Sequence, residues 1–290
     1  MLVMKKKLLM IILIAAVAIL ISAIISAIVC SREIKVSGYD VPVEGLENSI
    51  KALVISDLHG REYGENNGEL VALIAQQKPD VIFVDVDMIS RDASEKDIQR
   101  LEKLLKDLLK IAPMFYSTGN HEIDYMEEHG EMLLDRISAT GAVVLYDSYV
   151  ETEIAGNTVR IGGTSGHYRD ISWEKQLDYA MQEEIGSTDV PAIVLMHMPE
   201  NMVKDSARER WNADLYISGH AHGGVVRLPL IGGIVAPTQG FFPEYDYGQY
   251  LVDERLNLII SSGLSGYDWI PRVFNKPEIC VITMVSKQKT

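Results

Sequence analysis

Three observations make this sequence predict an α/β fold. Short apolar runs recur from residue 51 onward, longer stretches of helical periodicity lie between them, and five of the runs lead into an Asp, Asn or His. Alternating strands and helices define an α/β domain, because the helices cover the faces of a largely parallel sheet. Ligands gather outside the carboxyl ends of such strands. Chemically capable residues at five strand ends are therefore expected to converge on one crevice.

The elements follow in chain order. Residues 51–56 lead into Asp57-Leu58-His59, 81–84 into Asp87, 114–117 into Gly119-Asn120-His121-Glu122, 192–196 into His197, and 213–218 into Gly219-His220-Ala221-His222. Each run is short, apolar and rich in β-branched or aromatic residues, as a buried strand requires. Between them, 69–74 carries an apolar helix face. The stretch 94–111 places Ile98, Leu101, Leu104, Leu105, Leu108 and Leu109 at three- and four-residue spacing with charges opposite, which predicts an amphipathic helix.

The first thirty residues are of another kind. Residues 8–29 form a run of 22 without a charge, which as a helix rising about 1.5 Å per residue covers about 33 Å and crosses a hydrocarbon core. Such a run is a membrane span or a signal sequence. The only Ala-x-Ala, Ala16-Val17-Ala18, lies in its middle rather than at its end, so an uncleaved anchor over 1–30 is expected. Lys5, Lys6 and Lys7 before the span outweigh Arg32 and Lys35 behind it, which predicts a cytoplasmic N-terminus and an extracytoplasmic domain on a single-pass membrane protein. Residues 31–46 read as the linker and 47–290 as one domain, long enough for its own core.

Composition limits the partners. With Lys+Arg 27 against Asp+Glu 41 the net charge is −14, which argues against nucleic acid held by its phosphates. Cys30 and Cys280, the only cysteines, give no disulfide framework.

Imidazole, carboxylate and carboxamide together hold divalent first-row metals while leaving coordination positions open. One Asp-x-His or Gly-Asn-His reads as a turn with a capping residue. Five such motifs, each at a strand end, read as a two-metal hydrolase centre. His129, in Glu127-Glu128-His129, and His167 gain no role from spacing; Glu122 and Asp124 fit either metal-orienting neighbours or helix capping.

This series of motifs resembles the calcineurin-like metallophosphoesterase family from about residue 50 to the end. The segments 242–248, the Gly263 loop and 272–278 are similar to its membrane-anchored bacterial subgroup. The resemblance implies two mixed β-sheets packed face to face with helices outside. It also implies one metal held by Asp57, His59, Asp87 and His222, and a second by Asp87, Asn120, His197 and His220, with Asp87 bridging. His121 is then the catalytic residue that faces the substrate without binding metal. Three positions depart from the family pattern: Val86 where a glycine usually precedes the bridging aspartate, Ser90 for Asp or Asn, and Val225 for Gln. Since valine at positive φ is strained, either ordinary backbone at Val86 or a displaced strand end is expected.

The resulting expectation is a membrane-anchored phosphoesterase with two divalent ions, Mn, Fe or Zn. It would hydrolyse a phosphodiester, phosphomonoester or pyrophosphate of a lipid or cell-envelope compound through metal-activated water. The alternative is a weakly active or inactive metal-binding sensor domain of the same fold. A nuclease is disfavoured by the acidity and by the lack of a basic, aromatic-rich groove.

Overall fold

The computed structural model describes residues 2–164, 179–203, 211–266 and 270–287. It begins with helix α1, Leu2–Cys30, the one helix among the described residues long and apolar enough to cross a membrane. Strand β1, Lys35–Glu44, follows almost at once. Most of the expected linker is therefore sheet, a correction with a simple cause. Residues 35–44 alternate, with Ser37, Val41 and Val43 buried, and they pair in parallel along the whole of the C-terminal strand β16, Glu278–Lys287.

Two six-stranded mixed sheets form the body of the protein. The first runs β1-β16-β2-β3-β4-β5, where β2 is Ile50–Ile55, β3 Val81–Asp85, β4 Met114–Ser117 and β5 Val143–Leu145. Strands β2 to β5 are parallel, and β16 meets β2 antiparallel. The second runs β14-β15-β9-β8-β7-β6. Its strands are β6 Ser148–Ile154, β7 Asn157–Thr164, β8 Ala192–Met196, β9 Leu215–Ser218, β14 Gly248–Val252 and β15 Leu256–Ile260. Four short strands, β10 Arg227–Leu228, β11 Gly232–Gly233, β12 Val235–Ala236 and β13 Gly240–Phe241, make two hairpins after β9.

Strand periodicity sorts the core into layers. Alternate residues such as Val81, Phe83 and Phe115 of the first sheet meet Ile193, Leu195, Leu215 and Ile217 of the second in one buried cluster. Their neighbours Ile82, Val84 and Tyr116 face α2, Gly68–Gln77, and α3, Glu95–Leu108. Both faces of these strands are buried, which is why they read as continuous apolar runs. A third cluster, including Trp211, Met202 and Ile185, covers the outside of the second sheet. The architecture is the four-layer one expected. Helix α3 starts where its capping box predicts: Ser94 Oγ accepts from the Asp97 N–H, and the Asp97 carboxylate accepts from the Ser94 N–H, an arrangement worth about 1 kcal/mol.

Candidate metal centre

Every expected site residue lies at the carboxyl ends of β2, β3, β4, β8 and β9. Asp57 and His59 follow β2, Asp87 follows β3, Asn120 and His121 open α4 (Asn120–His129), His197 follows β8, and His220 and His222 follow β9. Adjacent parallel strands bring these ends together. Pairing continues into the loops, where the N–H groups of Asp57, His59 and Gly60 donate to the carbonyls of Val86, Asp87 and Met88 at 2.9 Å.

Three groups of lone-pair atoms result, each able to hold a cation: Asp57, His59 and His222; Asp87, His197 and His220; and His59, Asp87 and His121. His197 Nε2 shows why hydrogen bonding does not explain the arrangement. It lies 3.0 Å from Asp87 Oδ2, 3.1 Å from Asn120 Oδ1 and 3.1 Å from His220 Nδ1. A ring nitrogen carries at most one hydrogen and cannot satisfy three neighbours. Ligands at about 2.1 Å from one octahedral cation are themselves about 3.0 Å apart, so these spacings fit a shared ion. His59 Nε2 and His222 Nε2 lie 3.9 Å from carboxylate oxygens of Asp87 and Asp57 respectively. Asp57 Oδ2 and His59 Nε2 are buried without a hydrogen-bond partner, which costs about 1–3 kcal/mol per group unless something else binds them. The clustered His and Asp donors suggest divalent metal binding.

Burial dominates the electrostatics. It pushes the Asp87 carboxyl up to about 7 and raises that of Asp57. It holds His59 and His220 well below the usual histidine range, lowers His197, and takes His222 down to about 3, where Arg272 adds to the effect. The imidazoles are thus neutral and free to coordinate. The His222 Nδ1–H donates to the Ser265 carbonyl at 3.1 Å, which fixes the tautomer with Nε2 available. His121 Nδ1 accepts the Arg91 N–H at 3.1 Å, and its ring stands edge-on to His59 with centroids 4.5 Å apart.

The turn that carries Asp87 departs from both expectations. Val86 has φ +68° and Asp87 φ +50°, so the backbone is left-handed and the strand end is in place. Strain of about 1–3 kcal/mol persists only where surrounding contacts over-determine the conformation. Glu122 provides them. Its buried carboxylate accepts from the N–H groups of Asp87 (2.9 Å), Met88 (2.8 Å), Ile89 (3.3 Å) and Gly119 (3.0 Å) and from Tyr116 Oη (3.1 Å). Glu122 is therefore both the N-terminal cap of α4 and the clamp on the metal-site turn. Gly119 beside it must be glycine, since a Cβ there would sit 2.2 Å from Asp87 Oδ1. Of the other departures, Ser90 Oγ donates a long bond to the His59 carbonyl at 3.4 Å, and Val225 also has positive φ, +51°.

Two buried residues escape sequence reasoning. Arg272 binds the carbonyls of Ser262, Gly263 and Ser265, the loop whose Ser265 N–H donates to the Asp57 carbonyl at 2.7 Å. It thereby supports Asp57 and His222 together. Asp85 is buried, both its oxygens lack hydrogen-bond partners, and burial raises its carboxyl well above the ordinary range, with Asp57 adding to the effect. An Asp in phase with Val81 and Phe83 was its available signal. His129 stacks on Tyr125 at the surface, away from the site; His167 lies outside the described residues. A cavity of about 350 Å³ opens beside His59, lined also by Arg61, Arg272 and three residues at the end of α1 and just after it, Ala27, Cys30 and Ser31.

Fold and clustered donors together are those of a metallophosphoesterase domain. Residues 50–224 match the model of the calcineurin-like phosphoesterases, and the chain belongs to that family. It is 29% identical over 238 residues to the phosphodiesterase YaeI of Escherichia coli (strain K12), covering 81% of this chain and 82% of that one. It is 27% identical over 259 residues to an uncharacterised metallophosphoesterase of Campylobacter jejuni, covering 88% and 64%. A Danio rerio protein named a transmembrane protein with metallophosphoesterase domain is 26% identical over 273 residues, covering 86% and 57%. The chain spans less than two thirds of the length of the last two. The N-terminal helix and that last relative suggest a membrane anchor.

Proposed function

We propose that the chain is a dinuclear phosphodiesterase acting on esters borne by the membrane that α1 enters. Asp57, His59, Asp87 and His222 hold one cation, and Asp87, Asn120, His197 and His220 the other. The observation that carries this reading is the pair of separate donor groups, Asp57-His59-His222 and Asp87-His197-His220, linked where Asp87 stands 3.9 Å from His59. A carboxylate can give one oxygen to each of two ions, whereas an imidazole serves one. The bound ions, manganese, iron or zinc by the character of the donors, supply Lewis acidity toward phosphoryl oxygens and lower the pKa of water.

His121 is assigned the proton. Its Nδ1 accepts the Arg91 N–H, which leaves Nε2 as the ring nitrogen available to the substrate, and the imidazolium form is the one that could protonate a leaving alkoxide there. The His121→Ala variant is expected to lower kcat on a chromogenic phosphodiester by about 10²- to 10⁴-fold while metal content stays at the wild-type level. Asp87→Ala is expected to lose metal. A His121 variant that loses metal as the Asp87 variant does would make His121 a ligand, a role its place beside His59 and Asp87 also permits.

The membrane-borne substrate is supported by the cavity, whose wall joins His59 to the end of α1. Lys5, Lys6 and Lys7 ahead of the span support a cytoplasmic N-terminus and an extracytoplasmic site. Sharing one bilayer raises the effective concentration of enzyme and ester. Full-length protein in liposomes should therefore cleave a phospholipid or polyprenyl diphosphate in its own vesicles at least about tenfold faster than the same lipid in separate vesicles. Equal rates from the two would assign the enzyme to soluble esters.

A further inference from the structure

Beyond the metal centre, the segments after β9 build a platform that starts at α1. The Phe274 N–H donates to Ser26 Oγ of α1 at 2.6 Å. Next to it the Arg227 N–H donates to the Val273 carbonyl (2.9 Å), Ile234 to Val226 (2.8 Å) and Phe242 to Ile234 (2.9 Å). Four backbone segments thus lie side by side, extending outward from the anchor. The platform follows His220 and His222 in sequence and is bonded to that segment, the Asn275 carboxamide beside Phe274 donating to the His222 carbonyl at 2.8 Å.

This platform is apolar. Leu228, Leu230, Ile231, Phe241, Phe242 and Phe274 are all exposed, Leu230 completely. Among the described residues outside α1 they are six of the eleven exposed large apolar side chains, and these six belong to one hydrogen-bonded platform. Single exposed apolar residues are ordinary, but a grouped set marks an interaction surface. What covers it is indicated by continuity, since the platform is bonded to the helix whose apolar side chains are themselves exposed from Leu8 to Ile28.

We propose that residues 228–231, 241–242 and 274 seat in the headgroup layer of the bilayer that holds α1, as a second, shallow membrane contact that turns the metal crevice toward the membrane surface. The proposal rests on the reading of α1 as a membrane span and adds an orientation to it. A tethered domain without this contact tumbles over the surface; with it, an ester in the headgroup layer meets the crevice without leaving the membrane.

Site-directed spin labelling of the full-length protein in liposomes tests it. Both native cysteines are buried, so a nitroxide attaches to an introduced one. With Leu230→Cys, accessibility to oxygen should exceed accessibility to a nickel chelate by about twofold or more, the pattern of a side chain in the interfacial layer. Met132→Cys, on α5 (Met132–Ser138) and exposed, should show the reverse. A nickel-dominated label at Leu230 overturns the proposal, and so does an immobilised label shielded from both reagents, which would assign the platform to a protein contact. Leu20→Cys tests the underlying reading separately: a water-exposed label there sinks the membrane span, whereas lipid at Leu20 with water at Leu230 sinks the platform alone.

Discussion

Asp87 carries the most consequential single charge in the protein. Burial pushes its carboxyl up to about 7, against about 3.9 in an unfolded chain. With the folded pKa raised, the metal-free protein binds more protons than the unfolded chain between these values, so this group makes it lose stability as pH rises from about 4 to 7. A cation reverses the balance by requiring the ionised form. Metal binding below pH 7 must therefore displace a proton, and affinity should fall by up to about tenfold per unit there and level off above pH 8. The neighbouring histidines, held low by burial, add no further protons near neutrality. Calorimetric titration of manganese at pH 6, 7 and 8 checks this, and an affinity that is flat across the three values contradicts it. The residues that the fold brings together were legible in the sequence because each stands at the end of an apolar run. Asp85 and Arg272 were not. Arg272 acts on carbonyls from Ser262 to Ser265, and no spacing rule predicts which loop a distant guanidinium will reach.

At the level of elements, strands β2, β3, β4 and β8 were legible to within a residue or two, since an unbroken apolar run has few other uses in a chain of this polarity. Strand β1 was not, because its alternation, with Asp40, Pro42 and Glu44 on one side, resembles a polar connector until a partner strand is known. The turn after β3 also defied expectation, and its cause is tertiary: five donors fixed on Glu122 outweigh the preference of one valine. This account predicts an inverted order of stabilities. At an ordinary position alanine is better than glycine by about 0.5–1 kcal/mol. At Val86 both variants lose the buried side chain, but only glycine also relieves the positive φ, so Val86→Gly should be more stable than Val86→Ala in chemical denaturation. Should alanine prove the better residue, the left-handed turn is wrong.

On the scale of the whole molecule, two sheets deliver loops from β2, β3, β4, β8 and β9 to one end, and α1 ends beside them. Neither sheet alone holds the site, for Asp57, His59, Asp87, Asn120 and His121 come from the first and His197, His220 and His222 from the second. The sheet-to-sheet core, from Phe83 and Phe115 across to Leu195 and Ile217, is therefore what keeps the two donor groups in register. Sequence reasoning reached this convergence through the general behaviour of parallel strand ends, but the position of the crevice against the end of α1 required the fold. The central claim is that this chain holds two cations through a shared Asp87 and uses them to cleave phosphodiesters. Metal analysis of the purified full-length protein alongside its turnover of a chromogenic phosphodiester, before and after chelation and on re-addition of manganese, tests it most directly. The account predicts about two equivalents of metal per chain, activity abolished by the chelator and restored by the metal. Turnover undiminished in a metal-stripped protein, or no turnover with both equivalents bound, would contradict it.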